Sequence, residues 1–342
     1  MLHYHLRPGG VTTVIRNAQR ALARKFEVEV LADFGYDDDP RTFQRRVRDY
    51  MRRLPRTGIL HTHNVGLGKN PALTCAVKRL AETGRVKIIN QVHDFPEDNR
   101  PTQLRALRRC KNWQALCYYD LPNVIWATLT SHDAGKLAAR GIPAKKIHVL
   151  PNPLDDKFFS RPDRIEVDVP RPFLLSPMKV MKRKNNAEAV GLVQQLGRYH
   201  LVISLDADND YAAELKRRIR RERLPVIIGA GLDDPLPLFR AAHAILTTSK
   251  QEGFGYAFLE GWLCSKLVVG RDIPEVTADF KAAGMKLDHL YQTPDADVLR
   301  RLLARPPRNL IDHNRRVVLE NYSLRAYTRR YEKLLGKFSG RL

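Results

Sequence analysis

Short apolar runs alternate with amphipathic stretches along all 342 residues. That alternation predicts an α/β protein whose parallel sheets are covered by helices on both faces. Length is the second observation, because a chain of this size exceeds one ordinary core and two domains are expected. The third is the segment Pro151-Asn152-Pro153-Leu154-Asp155-Asp156, with Pro162, Pro170 and Pro172 behind it. It has no hydrophobic period and is rich in turn residues, so it reads as the linker between the halves.

In the first half the apolar runs fall at 28–32, 58–63, 87–93, 124–130 and 147–150, with helical patterns at 12–24, 41–54, 71–82 and 131–140. Each run is short and rich in Val, Ile and Leu, as suits a strand buried on both faces. The second half repeats the rhythm with strands at 172–175, 201–205, 226–228, 244–248 and 267–269, and ends on helical patterns at 309–321 and 323–338. The expected organisation is a first domain over 1–155, a second over 156–320 and a C-terminal helix over 321–342. Ligands of such sheets bind beyond the carboxyl ends of the strands.

Hydrophobic content of 43% and charged content of 28% fit a soluble globular enzyme. There is no run of 18 apolar residues to span a membrane, and the N-terminal Met1-Leu2-His3-Tyr4-His5 lacks the apolar core of a secretory signal. Cys75, Cys110, Cys117 and Cys264 stand at no metal-ligand spacing and read as reduced thiols in a cytoplasmic protein. The net charge of +22 is the anomaly. It implies attraction to an anionic partner, whether nucleic acid, anionic lipid or a phosphorylated substrate, and a general taste for arginine would spread the same charge. Helix 41–56 puts Phe43, Val47, Tyr50, Met51 and Leu54 on one face and arginines on the others. That pattern suits a sheet-covering helix or one lying on an anionic membrane. Asp37-Asp38-Asp39-Pro40 ahead of it reads as a helix start.

The segment 249–260, Ser-Lys-Gln-Glu-Gly-Phe-Gly-Tyr-Ala-Phe-Leu-Glu, carries the most chemistry. It leaves a buried strand and opens a helix that runs to Cys264. Glu252 in the loop and Glu260 about two turns on could face one ligand, with Gly253 and Gly255 letting the backbone approach it at the positive end of the helix. Acceptors for sugar and ribose hydroxyls beside N–H donors for phosphate are what a sugar nucleotide needs. Near the start, Arg7-Pro8-Gly9-Gly10-Val11-Thr12 precedes a helix, a pattern that suits phosphate approach. Basic residues cluster again in Lys179-Val180-Met181-Lys182-Arg183-Lys184-Asn185, after the first strand of the second half, where they suit a pyrophosphate leaving group.

Glu252-x7-Glu260 around Gly253-Phe254-Gly255, continued by Gly261-Trp262-Leu263-Cys264-Ser265-Lys266-Leu267-Val268-Val269-Gly270, resembles the signature of family-4 retaining nucleotide-sugar glycosyltransferases. The resemblance implies the GT-B fold, with two Rossmann-like domains facing across a cleft and a last helix crossing back onto the first. It implies hexose transfer from a UDP- or GDP-sugar to an acceptor hydroxyl, without a metal or other cofactor. Glu260 would bind the donor ribose. Glu252, with the N–H groups of Phe254 and Gly255, would hold the sugar hydroxyls. Lys179 and Lys184, or Arg183 in place of Lys184, match the family's diphosphate clamp, although a lysine stands where its arginine is usual and Asn185 where its glycine is. His93 of His93-Asp94 would face the sugar, and Gly9-Gly10 the donor diphosphate or the acceptor.

Other features are weaker. His61 and His63 end the preceding strand, at the acceptor cleft or its edge. Ser131 reads as a helix N-cap, and Asn152 stands at the hinge with Pro153 where the family has glycine. Asp206-Ala207-Asp208-Asn209-Asp210 imitates an Asp-x-Asp metal site or the start of a calcium loop, but lacks a calcium loop's glycine and distal Glu, and reads as a loop capping the next helix. The charge favours an anionic acceptor, such as a lipid, a saccharide or a phosphorylated metabolite, with peripheral membrane contact and no nucleic-acid partner. A non-catalytic polyanion-binding protein on the same scaffold is the competing reading.

Overall fold

The computed structural model describes residues 1–36, 39, 41–98, 100–159, 167–231 and 234–339. Asp37, Asp38 and Pro40 of the expected helix start, and Pro162 of the expected linker, lie outside the described residues. The chain divides into two compact units, one of Met1–Pro153 with Leu324–Leu342, the other of Leu154–Ser323. A hydrogen bond fixes each side of the first division. Asn17 Nδ2 donates to the carbonyl of Pro153 within the first unit, and the N–H of Leu154 donates to the carbonyl of Tyr322 within the second.

The first unit holds α1 (Gly10–Leu22), α2 (Phe43–Arg53), β1 (Ile59–His63), α3 (Pro71–Glu82), β2 (Lys87–Val92), α4 (Pro101–Arg108), α5 (Trp113–Cys117), β3 (Val124–Thr128), α6 (Ser131–Ala139) and β4 (Ile147–Val149). Its four strands pair in parallel in the order β1-β2-β3-β4. The run 28–32 departs from expectation. It touches the sheet at one bridge, Leu31 to Leu2, while Leu2 bridges Thr62 of β1. Asp33 ends the run in a left-handed conformation at φ 63°. The N-cap of α6 is Thr130, not Ser131, because the Thr130 hydroxyl accepts from the N–H of Asp133 at 3.2 Å.

Helix α2 spends its apolar face inside this unit. Val47 and Tyr50 are buried, as is Leu54 just beyond the helix, and Phe43 and Met51 pack against the same cluster. The C-terminal α14 (Leu324–Ser339) lies on α1, where Tyr327, Tyr331 and Leu334 join Ala18, Ala21 and Leu22, and the Thr328 hydroxyl donates to the carbonyl of Ala21.

The second unit runs β5 (Phe173–Lys179), α7 (Asn186–Leu196), β6 (His200–Leu205), α8 (Asp210–Arg221), β7 (Val226–Ile228), α9 (Leu236–Ala241), β8 (Ala244–Thr247), α10 (Tyr256–Leu263), β9 (Leu267–Gly270), α11 (Pro274–Ala282), α12 (Ala296–Ala304) and α13 (Arg308–Tyr322). All five strands are parallel, in the order β7-β6-β5-β8-β9. The chain first walks one way from β5, then returns to its other side at β8. The carboxyl ends of β5 and β8 therefore flank the point where strand order reverses, the usual ligand crevice of an open α/β sheet. Helix α10 lies close on this sheet because Gly261 has no side chain; a Cβ there would stand 2.6 Å from Val268 Cγ2 and 2.9 Å from Ile245 Cγ1.

Candidate active site

The loops after β5 and β8 meet at that crevice and carry most of the predicted site residues. After β5 a single 3-10 turn, Lys182–Lys184, leads to Asn185 at φ 54° and then to α7. Asparagine tolerates this left-handed conformation better than most residues, which explains how it serves at a glycine position. The β8 loop is stitched to this turn. The Thr248 hydroxyl donates to the carbonyls of Lys184 and Asn185, each at 3.1 Å, and the N–H of Lys250 donates to the carbonyl of Arg183 at 3.0 Å. Arg183, itself exposed, reaches the carbonyl of Gln251 at 3.3 Å.

Across this seam Lys184 Nζ lies 2.5 Å from Glu252 Oε1 and 2.6 Å from Oε2. Burial lowers the pKa of Lys184, and the Glu252 carboxylate pulls it back up. Beyond Glu252 the loop is anchored by the buried ring of Phe254, edge-on to Tyr256 and Tyr322. Among the described residues no backbone carbonyl accepts from the N–H groups of Gly253, Phe254 or Gly255. Gly255 sits at φ 82°, where a Cβ would stand 2.8 Å from Val276 Cγ1, so only glycine fits.

Glu260 lies in the second turn of α10, half-buried, and its carboxylate makes no hydrogen bond among the described residues. Burial pushes its pKa up to about 8, with the charge of Lys157 acting against and that of Asp155 with the shift. Lys179 ends β5 exposed to solvent, at a register shift between Ser176 and Lys179.

One cluster at this edge carries no sequence signal. Glu188, in the first turn of α7, takes Arg271 Nε at 2.9 Å, the Tyr291 hydroxyl at 3.0 Å and Asn185 Nδ2 at 2.8 Å. It ties the end of β9 to the Lys184–Asn185 turn. Two residues remote in sequence, Arg271 and Tyr291, join the nearby Asn185 on one carboxylate, and no spacing announces that. The Asp-x-Asp imitation is a helix start: Asn209 caps α8 by accepting from the N–H of Ala212, and Asp206 pairs with Lys216. Among the described residues no group of three or more His, Cys, Asp or Glu is arranged to hold a metal ion.

In the first unit, His93 follows β2 and is buried. Its Nε2 lies 3.0 Å from Nδ1 of His63, and its N–H donates to Asn64 Oδ1 at 2.7 Å. Asn64 also accepts from the N–H of Asp94 and donates to its carboxylate, which Arg100 holds at 2.6 Å. His61 Nε2 pairs with Gln91 Oε1 at 2.8 Å. Burial drives all these rings toward the neutral form: the pKa of His61 falls to about 3, and those of His63 and His93 fall as well. Gly9 and Gly10 open α1, exposed and with no side chain capping the helix. A Cβ on Gly10 would meet nothing within 4 Å, so protein packing does not demand glycine there.

Two Rossmann-like units, the second with its loops gathered at a topological switch point, give the chain the GT-B fold. No known protein-family profile matches the chain. Among curated proteins it is similar to mannosylglucosyl-3-phosphoglycerate synthase of Petrotoga mobilis, with 27% identity over 82% of this chain and 66% of the relative. The chain thus spans a little under two thirds of that protein's length. Among solved structures it resembles HepE of Anabaena in complex with UDP and glucose, with a TM-score of 0.73 at 15% identity and 98% of each chain covered. It also resembles sucrose-phosphate synthase of Thermosynechococcus elongatus, with a TM-score of 0.70 at 14% identity over 97% of this chain and 94% of the other.

Proposed function

We propose that the protein is a glycosyltransferase that moves a hexose from a nucleotide-diphosphate sugar to an acceptor hydroxyl. The Lys184–Glu252 pair at the β5/β8 switch point, with Glu260 in the next helix, is the observation that carries this reading. Glu260 would accept from the ribose hydroxyls. Glu252 and the free N–H groups of Phe254 and Gly255 would hold the sugar. Lys184, Lys179 and Arg183 would balance the charge that grows on the leaving diphosphate, a stabilisation worth most at the transition state. These cations would do the work without a metal ion. His93, neutral and held by Asn64 and His63, would bind the sugar as a hydrogen-bonding group rather than a charge.

UDP and glucose bound to HepE support a nucleotide-sugar donor, and the phosphoglycerate in the name of the curated relative supports a phosphorylated acceptor. The reading places the enzyme in the cytoplasm. No helix among the described residues is long and apolar enough to cross a membrane, and α2 turns Arg45, Arg48, Arg52 and Arg53 outward beside Gln44 and Asp49, so any contact with an anionic membrane would rest on charge. Calorimetry against UDP- and GDP-sugars tests the proposal. Wild type should bind one donor class, and Glu252→Ala and Glu260→Ala should each weaken it at least tenfold. Nucleic-acid binding with no donor heat would sink it in favour of a polyanion-binding protein.

A further inference from the structure

Three segments of the first unit bring His5, Tyr36 and Lys69 together, and the donor reading uses none of them. Tyr36 is 52% exposed. Its hydroxyl lies 2.5 Å from His5 Nε2 and 3.0 Å from Lys69 Nζ, and the ammonium also stands 4.7 Å from the ring centre. At least one chain neighbour of each is locked. Tyr4, beside His5, is fully buried, and its carbonyl accepts from the N–H groups of Phe34 and Gly35 at 3.0 Å each. Asn70, beside Lys69, is fully buried; its amide donates to the carbonyls of Phe34 and Gly35 at 3.2 Å and its oxygen caps α3. Gly68, on the other side of Lys69, sits at φ 86°, where a Cβ would stand 2.6 Å from the carbonyl oxygen of Gln103. The three side chains are therefore presented by rigid backbone.

The hydrogen bonds leave this cluster short of an acceptor. The N–H of Arg7 donates to His5 Nδ1 at 3.2 Å, which puts the ring proton on Nε2. Nε2–H and the Lys69 ammonium then both donate to the Tyr36 oxygen, whose own proton is left unspent. Lys69 has no carboxylate within ion-pairing distance among the described residues. Arg7 adds a second cation: its charge and that of Lys69 join burial in lowering the pKa of His5. A spot with surplus donors, two cations and fixed geometry favours a compact multivalent oxyanion.

We propose that Arg7, Tyr36 and Lys69 form a subsite for a phosphate monoester, borne by the acceptor. Calling that ligand an acceptor rests on the transferase reading; the anion site itself does not. The same base supports His93, since the Tyr4 hydroxyl donates to the carbonyls of Asn64 and Val65, and Asn64 holds the His93 backbone.

The test is calorimetry with glucose 6-phosphate and inorganic phosphate, and flotation with phosphatidylcholine vesicles with and without phosphatidic acid. UDP is titrated into every variant. Lys69→Gln and Arg7→Gln should each weaken phosphate binding at least tenfold, Tyr36→Phe several-fold, and Lys69→Arg little, while UDP affinity stays unchanged. The double variant Arg217→Gln/Arg220→Gln on α8 should bind phosphate like wild type. Vesicle binding that needs phosphatidic acid and disappears in Lys69→Gln, without a response to glucose 6-phosphate, keeps the subsite and assigns it to a lipid phosphate. Equal anion binding by wild type, Lys69→Gln and Arg7→Gln, or equal loss in the α8 variant, overturns the subsite. Failure of wild type to bind UDP would overturn the transferase reading and leave the phosphate result to stand alone.

Discussion

Lys184 places its ammonium 2.5 Å and 2.6 Å from the two carboxylate oxygens of Glu252, and each side chain is only 12% exposed. A pair so far removed from water has lost hydration that its attraction must offset. A nucleotide sugar would divide the pair and satisfy both halves, its diphosphate taking the ammonium and its hydroxyls the carboxylate. The two residues sit on loops after neighbouring strands, so a small separation of those loops would admit the ligand. On the proposed function, the ion pair would be the resting state of the donor site.

Removing one partner should therefore cost more than removing both. Glu252→Ala leaves the largely buried ammonium of Lys184 unpaired and should lower unfolding stability by about 2–4 kcal/mol, whereas Lys184→Met/Glu252→Leu should recover most of that loss. Donor binding should be absent from both. Urea unfolding beside calorimetry checks this. Recovery of stability with donor binding intact would mean that the pair is scaffold and the site lies elsewhere.

Glu260 gives the site a pH signature. Its pKa is about 8 in the folded protein against an ordinary 4.5. The folded chain therefore holds a proton that the unfolded chain releases between these values. The stabilisation is full below pH 4.5 and is lost as pH rises through 8. Glu260→Gln is neutral at every pH, so its stability relative to wild type should grow by up to a few kcal/mol between pH 5 and pH 8. Ribose hydroxyls prefer the carboxylate, so UDP binding at pH 7 should expel this proton. Calorimetry in buffers of different ionisation enthalpy measures the release, which Glu260→Gln should abolish. Binding without proton release would remove Glu260 from the ribose.

The alternation of strands and helices was legible in the sequence because parallel strands are short, apolar and bounded by turn residues. The helical pattern 71–82 matches α3 at both ends; proline suits the first turn, and the fold adds the buried Asn70 as its cap. The run 28–32 failed because its composition suits a strand while its pairing is limited to one bridge, a tertiary fact. The loops after β5 and β8 stand out in the sequence because each gathers glycine or charge directly behind a short apolar run; that they meet is shown by the fold. Glu188–Arg271–Tyr291 and His5–Tyr36–Lys69 do not stand out, because each is assembled from segments brought together only by folding.

The buried histidines should make the first unit acid-sensitive. His61 titrates near pH 3 and His3 near pH 4 in the folded state, and burial lowers His63 and His93 too. The unfolded chain binds these protons from pH 6.5 downward while the folded chain excludes them, so stability should rise with pH across about 4 to 6.5. Each histidine contributes up to about 1.4 kcal/mol per pH unit in that window. His61→Asn should flatten the slope of unfolding free energy against pH by about one proton. An unchanged slope would show that His61 is protonated in the fold, in conflict with its burial.

Glycines offer the cleanest separation of scaffold from ligand contact. Alanine at Gly255 would need a left-handed backbone at φ 82° and would press on Val276 and Phe280. Gly255→Ala should cost about 1–3 kcal/mol through strain and overpacking, and donor affinity would fall with the displaced loop. Gly10→Ala meets open space at the start of α1 and should leave stability unchanged or raise it by up to about 1 kcal/mol, because alanine is the better helix former. Activity lost by Gly10→Ala therefore cannot be charged to folding. Steady-state kinetics on Gly10→Ala, with melting temperature as the control, should show a raised KM at unchanged stability if a phosphate approaches this backbone. Wild-type kinetics would free the Gly9-Gly10 turn from any ligand and leave Arg7, Tyr36 and Lys69 to hold the anion alone.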